Sequence, residues 1–371
     1  METFVTVFVW AATIQGLFLS SLYFFSQKHN SFSNKILGLF LLCLIIEAVN
    51  TFFPIEWING YNIRNYFGLP EVKLFLPVLF FHYILEKIGA SKKYAGPLRL
   101  GYGLAFLVVG LTLVNVLLFV VAGQSLIGVW SYEGVEALFN IQQTLAWALS
   151  VVAVLLSYRE TRNYREVAAN EYSDIEMLNI NWLWQIIFLM VPVIVLWGLE
   201  LLRIFLGAQG WPDLVSINWG ILFIVIYFVS YKAFVQHDLF EHAPALPVSE
   251  KKAVEEEATK EAFPETLQVL ESIMTKEQPY LKSDLTLHEL ASTVGLPSRK
   301  ISQCINQHYQ TNFSVWINKY RVERAIQLLQ NISSSNLSIE GIGYESGFRS
   351  RSSMYLAFNK ITGKSPGDFK G

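Results

Sequence analysis

The sequence predicts an all-α chain in two parts: a seven-helix transmembrane bundle, then a water-soluble tail whose short helices fall into two similar pairs. Three observations predict it. Of the 371 residues 53% are hydrophobic, 15% are aromatic and only 16% are charged. With a mean hydropathy of +0.36, that composition is too apolar for a wholly soluble protein. Apolar segments near the ~20 residues that cross a bilayer recur through residues 1–235 and not after them. Finally, the net charge of -2 hides an uneven layout. From Thr266 onward twelve Lys and Arg face eight Asp and Glu, a balance of +4, whereas Gln236 to Glu265 holds three basic and eight acidic residues, a balance of -5. The expected organisation is therefore a membrane part at 1–235, an acidic linker at 236–265 and a basic tail at 266–371.

The first apolar segment, Phe4 to Phe25, has no basic stretch ahead of it and no small-residue cleavage site behind it. It reads as a retained span rather than a signal peptide. Others follow at about Ile36 to Phe53, Phe67 to Ile88, Leu98 to Val121, Val135 to Tyr158, Trp182 to Leu206 and Val215 to Val235, seven in all. The third contains Glu71 and Lys73, so its uninterrupted apolar portion begins only at Leu74. Orientation follows from loop charge, because short cytoplasmic loops carry the excess of Lys and Arg. The connection after the first segment has Lys28 and Lys35, that after the third has Lys87, Lys92, Lys93 and Arg99, and that after the fifth has Arg159, Arg162 and Arg165. Alternate loops hold only Arg64. The amino terminus is thus expected outside, and seven crossings put the tail in the cytoplasm.

Ionisable groups inside a span cost ~2.5 to 3.5 kcal/mol on insertion scales, so each is a functional candidate. In this orientation Glu47, Asn50, Glu71, Lys73, Asn115, Asn140, Gln142, Gln143, Glu200, Arg203 and Asn218 all fall in the outer halves of their spans. An outward-facing polar pocket is what a small extracytoplasmic ligand requires, and Glu47, Asn50, Glu71, Gln142, Glu200 and Arg203 are its candidate ligand-binding residues. The blander reading makes Glu200 with Arg203, and Glu71 with Lys73, ion pairs that hold helices together. In the linker, Pro244, Pro247 and the mixed-charge run from Lys251 to Glu257 describe a flexible tether that cannot bury enough apolar surface to fold alone. His237 and His242 stand five residues apart, a spacing that sets them poorly on one helical face, so a solvated exit from the membrane outweighs a metal site. Cys43 and Cys304 imply no disulfide framework. No metal and no cofactor is expected.

The tail repeats one pattern. Leu285-Thr286-Leu287-His288-Glu289-Leu290-Ala291, a turn at Gly295 and a second helix from Pro297 to about His308 make the first pair. Ser338 to Phe348 with its glycines, followed by a helix from about Arg351 to Thr362 and then Gly363-Lys364-Ser365-Pro366, makes the second. Two short helices joined by a tight glycine turn describe a helix-turn-helix, whose second helix enters the DNA major groove. A basic tail behind an acidic linker suits a nucleic-acid reader. In the first pair Leu285, Leu287, Leu290, Val294, Leu296, Ile301 and Ile305 form the buried face, which leaves Arg299, Ser302, Gln303 and Asn306 outward. Arg donates two hydrogen bonds to guanine and Gln or Asn pairs with adenine, each good bidentate pair being worth ~1 to 3 kcal/mol of discrimination. In the second pair Met354 and Phe358 point inward and Arg349, Arg351, Ser352 and Tyr355 outward, with Lys360 and Lys364 as phosphate contacts. Phe313 to Leu329 reads as one helix that fixes the separation of the two heads, so that one chain meets successive major-groove segments about 34 Å apart.

The tandem resembles the DNA-binding domain of the AraC/XylS family of bacterial transcription regulators. The likeness covers roughly residues 266 to 371 and rests on the leucine-rich helix ending in Ala291, on Tyr320-Arg321-Val322-Glu323-Arg324-Ala325, on Gly347-Phe348 and on Gly363-Lys364-Ser365-Pro366. It implies that the base-contacting positions of the first head are Arg299, Ser302, Gln303 and Asn306. Two departures stand out: Pro297 occupies a place where the family often has a capping Ser, with Ser298 one position later, and Leu356 stands where the family frequently has an Arg. The second head is therefore expected to discriminate less. What lies upstream is not the sugar-binding barrel of the best-known members.

The reading is a regulator of transcription in the bacterial inner membrane that couples a signal sensed by the spans to gene expression, with double-stranded DNA, the lipid bilayer, a small extracytoplasmic ligand and a second copy as partners. It is not read as an enzyme. The alternative is a membrane transporter or enzyme with a regulatory DNA-binding tail. Against that stand the lack of any nucleophile–base arrangement, metal-ligand cluster or glycine-rich phosphate loop in the sequence. A further alternative releases the tail by proteolysis in the linker.

Overall fold

A computed structural model describes residues 2–26, 31–52, 57–58, 61–62, 71–122, 132–174, 180–207, 214–235, 263–331 and 337–371. The chain divides into two compact units, Met1–Thr161 with Asn181–Ala243, and Arg162–Ile180 with Pro244–Gly371. The linker, including Pro244, Pro247, His237 and His242, lies almost wholly outside the described residues, as does Arg64.

Each of the seven apolar segments carries a helix in the structure. These are α1 (Glu2–Phe25), α2 (Phe32–Phe52), α3 (Phe75–Lys87), α4 (Ala95–Ala122), α5 (Tyr132–Glu171), α6 (Ile180–Leu206) and α7 (Leu214–Val235). Between α2 and α3 two residues of β1 (Trp57–Ile58) pair antiparallel with two of β2 (Tyr61–Asn62). Among the described residues four runs are long and apolar enough to cross a membrane: Phe32–Thr51, Ser91–Ala122, Ala137–Glu171 and Asn181–Leu206. Trp10–Phe25 and Leu214–Val229 are shorter apolar helices. The third segment differs most from expectation. Its helix has 13 residues, about 20 Å at 1.5 Å per residue, against a hydrocarbon core of about 30 Å. Glu71 and Lys73 precede it outside the helix, where Glu71 accepts from Gln142 and Lys73 pairs with Glu47.

Close packing in the first unit depends on small residues. Ser20 Oγ donates to the Gly38 carbonyl at 3.0 Å, so α1 and α2 approach with little between them. A Cβ on Gly198 of α6 would lie 2.8 Å from Trp147 Nε1. Its absence lets the α5 indole reach the α6 backbone and donate to the Ile194 carbonyl at 2.9 Å. By contrast α4 is apolar on every side yet its apolar window is only 12% buried, with Leu100, Phe106, Leu107, Leu117 and Val120 exposed.

Among its described residues the second unit has six further α-helices: α8 (Phe263–Lys276), α9 (Leu287–Val294), α10 (Ser298–His308), α11 (Phe313–Gln330), α12 (Ile339–Glu345) and α13 (Arg351–Thr362). Side-chain chemistry sets their ends. Thr286 and Glu289 form a reciprocal capping box at the start of α9, and Gly295 closes it in the left-handed region at φ 71°. Ser338 accepts from the Gly341 N–H at the start of α12, Ser350 forms a capping box with Ser353 at α13, and Gly363 ends α13 at φ 71°. Pro297 is the residue before α10, extended and without a side-chain cap, so the helix begins at Ser298. Its ring presets the backbone where a Ser would accept a hydrogen bond from an N–H of the first turn.

Two cores flank α11. Leu270, Met274, Leu290, Ile301, Cys304 and Ile305 gather around Phe313, Trp316 and Ile317 at one end. Ile342, Phe348, Met354 and Phe358 gather around Val322, Ala325 and Leu329 at the other. One helix therefore belongs to both heads and sets their spacing, as its unbroken apolar pattern predicts.

Candidate DNA-reading surface and an apolar cavity

On α10, Arg299 and Asn306 are exposed and Ser302 and Gln303 half-buried. Their spacing of three, four and seven residues places them on one face, opposite Ile301, Cys304 and Ile305, which are wholly buried. Among the described residues none of these four side chains makes a hydrogen bond or ion pair, so their donors and acceptors stand open to an incoming base edge. The second head presents Arg349, Arg351 and Ser352 exposed and Tyr355 half-buried. Here the polar groups lean on one another: Arg351 lies over the Tyr355 ring, 5.2 Å from its centroid, and donates to its hydroxyl at 3.4 Å. Lys360 and Lys364 are exposed at the end of α13. Leu356 is 55% exposed on that helix.

The two heads are held in register by Arg321, a residue that the sequence offers only as part of a motif. It is 1% exposed. Its Nε donates to the Tyr280 carbonyl at 2.7 Å and its Nη2 to the Lys282 carbonyl at 2.8 Å, while the guanidinium lies 6.0 Å from the centroid of Phe348 in the other core. Burial lowers its pKa to about 10, against the carboxylates of Asp174 and Asp284, which act to raise it. It stays charged at neutral pH. Beside Phe348, Gly347 adopts φ 85° with the Tyr280 carbonyl against its α-carbon. Only a residue without a side chain fits there.

In the first unit a cavity of about 280 Å³ is lined mostly by apolar side chains, among them Phe40, Phe80, Trp197 and Trp219. Polar side chains join them: Glu47, Lys73, Asn140, Gln143, Glu200 and Asn218, with the hydroxyls of Thr51 and Ser150. Of the predicted ligand residues, Glu47 and Glu200 reach this cavity, whereas Asn50, Glu71, Gln142 and Arg203 do not line it. Their own partners explain most of this. Gln142 Nε2 donates to Glu71 Oε2 at 3.3 Å, and Arg203 Nε donates to Glu200 at 2.9 Å. Glu47 is 1% exposed; its Oε1 accepts the Val72 N–H at 3.0 Å and its Oε2 pairs with Lys73 Nζ at 3.1 Å. Lys73 also meets Glu71 at 3.5 Å. The ion pairs of the blander reading are thus formed. The amides of Asn140, Gln143 and Asn218 have no hydrogen-bond partner among the described residues, although Gln143 is buried. Gln143 rather than Gln142 turns into the cavity, a difference of about 100° around α5.

Residues 290–371 match the family model of the helix-turn-helix domain. No curated protein matches the chain significantly, and no solved structure does. The match covers α10 to α13 and supports an AraC/XylS-type DNA-binding domain and a regulator of transcription that binds double-stranded DNA.

Proposed function

We propose that this protein is a membrane-anchored, sequence-specific regulator of transcription that couples a signal sensed by its apolar helices to gene expression. The observation that carries it is the union in one chain of two kinds of surface. One unit has paired helix-turn-helix faces whose Arg299, Ser302, Gln303 and Asn306 have no partners among the described residues. The other has, among the described residues, four helices long and apolar enough to cross a membrane. The sparsely buried apolar surface of α4 supports anchoring, since a contiguous apolar surface of that extent is unfavourable in water. Anchoring in the bacterial inner membrane with the amino terminus outside rests on the loop charges.

The signal is read as a small amphiphile in the 280 Å³ cavity. Apolar walls would take its body, and the unpaired amides of Asn140, Gln143 and Asn218, beside Glu47 and Glu200, would take a hydrogen-bonding head. A second copy in the membrane would raise the local concentration of the second reader on a paired operator. The test is selection of bound DNA from a random pool by the purified full chain in bilayer discs. The expected product is one sequence with two elements about 10 base pairs apart, read most strictly in the element that Arg299 and Gln303 contact. Enrichment of no sequence would sink the reading.

A further inference from the structure

Within the second unit, the residues that follow α5 directly in the chain lie along the edge of the reader. Tyr172 forms an antiparallel bridge with Thr286, and the Ser173 N–H donates to the Leu285 carbonyl at 3.0 Å. The Ser173 carbonyl accepts from Ser314 Oγ at 2.9 Å and from Asn318 Nδ2 at 3.5 Å, and its hydroxyl accepts from Arg321 Nη2 at 3.0 Å. Ser173 is 0% exposed and Asp174 7%. Two residues before Ser173, burial raises the pKa of the Glu171 carboxylate, and the facing backbone of His288, in the first turn of α9, acts to lower it.

A connecting segment normally keeps its backbone polar groups in water. Here the N–H, carbonyl and side chain of one serine are all buried and all paired with the reader, which buried groups require if they are not to destabilise the fold. The receiving surface is the edge at Leu285–Thr286 together with one side of α11. None of these bonds uses a candidate base-reading residue.

We infer that residues 171–174 are a docking strap, that the groove between Thr286 and α11 is the interaction surface built to take it, and that the strapped reader is the form that binds DNA. The DNA-binding part rests on the function proposed above; the docking does not. The strap is the continuation of α5, and it touches α9, the first helix of the first head, and α11, the helix that sets the spacing of both. A shift of α5 therefore reaches the reader without passing through residues 236–265. Loop charge assigns the connection after the fifth span to the tail's side of the membrane, an argument made without reference to these contacts.

The test uses the full chain in native membranes with Cys43 and Cys304 replaced by Ala. Tyr172→Cys is combined with Thr286→Cys, because Cα atoms of antiparallel bridge partners lie about 4.5 to 5.5 Å apart, within the range that a disulfide spans. Mild oxidation is expected to join the two within one chain at least tenfold faster than it joins Tyr172→Cys to Thr293→Cys, at the far end of α9. Adding Ser314→Ala and Asn318→Ala is expected to slow the reaction threefold or more. Equal rates for the two pairs, or a bond formed between chains, would overturn the docking. Thr286 also caps α9, so the unmodified chain supplies a second measurement: the Ser173 amide should exchange with deuterium at least a hundredfold more slowly than an exposed amide, and an unprotected amide overturns the docking again. The oxidised chain should then bind the selected operator within twofold of the reduced chain. A tenfold loss on oxidation refutes the claim that the strapped form is the competent one. If selection enriches no sequence, the proposed function falls while the disulfide and exchange results still decide the docking.

Discussion

Arg321 shows what a single buried charge demands. Its guanidinium meets carbonyls of Tyr280 and Lys282 and the hydroxyl of Ser173, and an Arg fork is suited to several acceptors at once in a way that a Lys is not. Arg321→Leu leaves those acceptors buried and unpaired at about 1 to 3 kcal/mol each, so destabilisation of the reader by about 3 kcal/mol or more is expected, with Arg321→Lys in between. Cys304 supplies the measurement. It is 0% exposed, and with Cys43 replaced, its rate of thiol labelling in urea reports opening of the reader. Gly347 and Gly363 separate two glycine effects by the same assay. Gly363→Ala meets open space at φ 71° and should cost only the left-handed penalty of about 1 to 2 kcal/mol. Gly347→Ala bears that penalty and also drives a methyl into the Tyr280 carbonyl and within 2.7 Å of Leu281 Cα, so the reader should open without denaturant. Equal labelling of the two variants would contradict the packing described.

At the scale of elements, the helices of the reader were legible in the sequence because local chemistry specifies them. Thr286, Ser338 and Ser350 start helices, Gly295 and Gly363 stop them, and apolar spacing separates Ile301 and Ile305 from Arg299 and Asn306. Seven apolar segments were equally plain, since composition alone marks them. The length of α3 was not, because Glu71 and Lys73 find partners in Glu47 and Gln142, which are remote in sequence. The rotation that turns Gln143 instead of Gln142 to the cavity was hidden for the same reason, and so was the strap: nothing local in Tyr172-Ser173-Asp174 announces a binding partner more than a hundred residues on. The reading faces carry a prediction with two signatures. Arg299→Ala should cost about 1 to 3 kcal/mol and relax the sequence preference at one position. Lys364→Ala should weaken binding to all sequences alike and reduce the salt slope by about one. Leu356→Arg is expected to do the reverse, tightening binding and steepening the slope by about one, since Leu356 is more than half exposed. Titration of the selected operator at several salt concentrations checks all three, and a salt slope unchanged in Lys364→Ala would remove that residue from the phosphate contacts.

For the whole molecule the question is whether the cavity in one unit governs the reader in the other. Glu47 is a poor probe, because Glu47→Gln disturbs the Lys73 pair and the Val72 hydrogen bond together and so alters α3 whether or not a ligand exists. Gln143→Leu and Asn218→Leu are better. Neither amide has a partner among the described residues, each replacement stays within one heavy atom of the side chain it replaces, and in the absence of a ligand an apolar group in this lining should be neutral or slightly stabilising. If the cavity binds a signal through those amides, the double variant should lose it. A reporter driven by the selected operator should then change by threefold or more, at unchanged protein level in the membrane and unchanged affinity of the purified chain for the same DNA. The two controls matter, since they separate a lost signal from a lost protein and from a damaged reader. A reporter that responds identically in the double variant and the parent would leave the cavity as packing space and take the signal-coupling reading with it, while the DNA-reading assignment of Arg299, Ser302, Gln303 and Asn306 would stand.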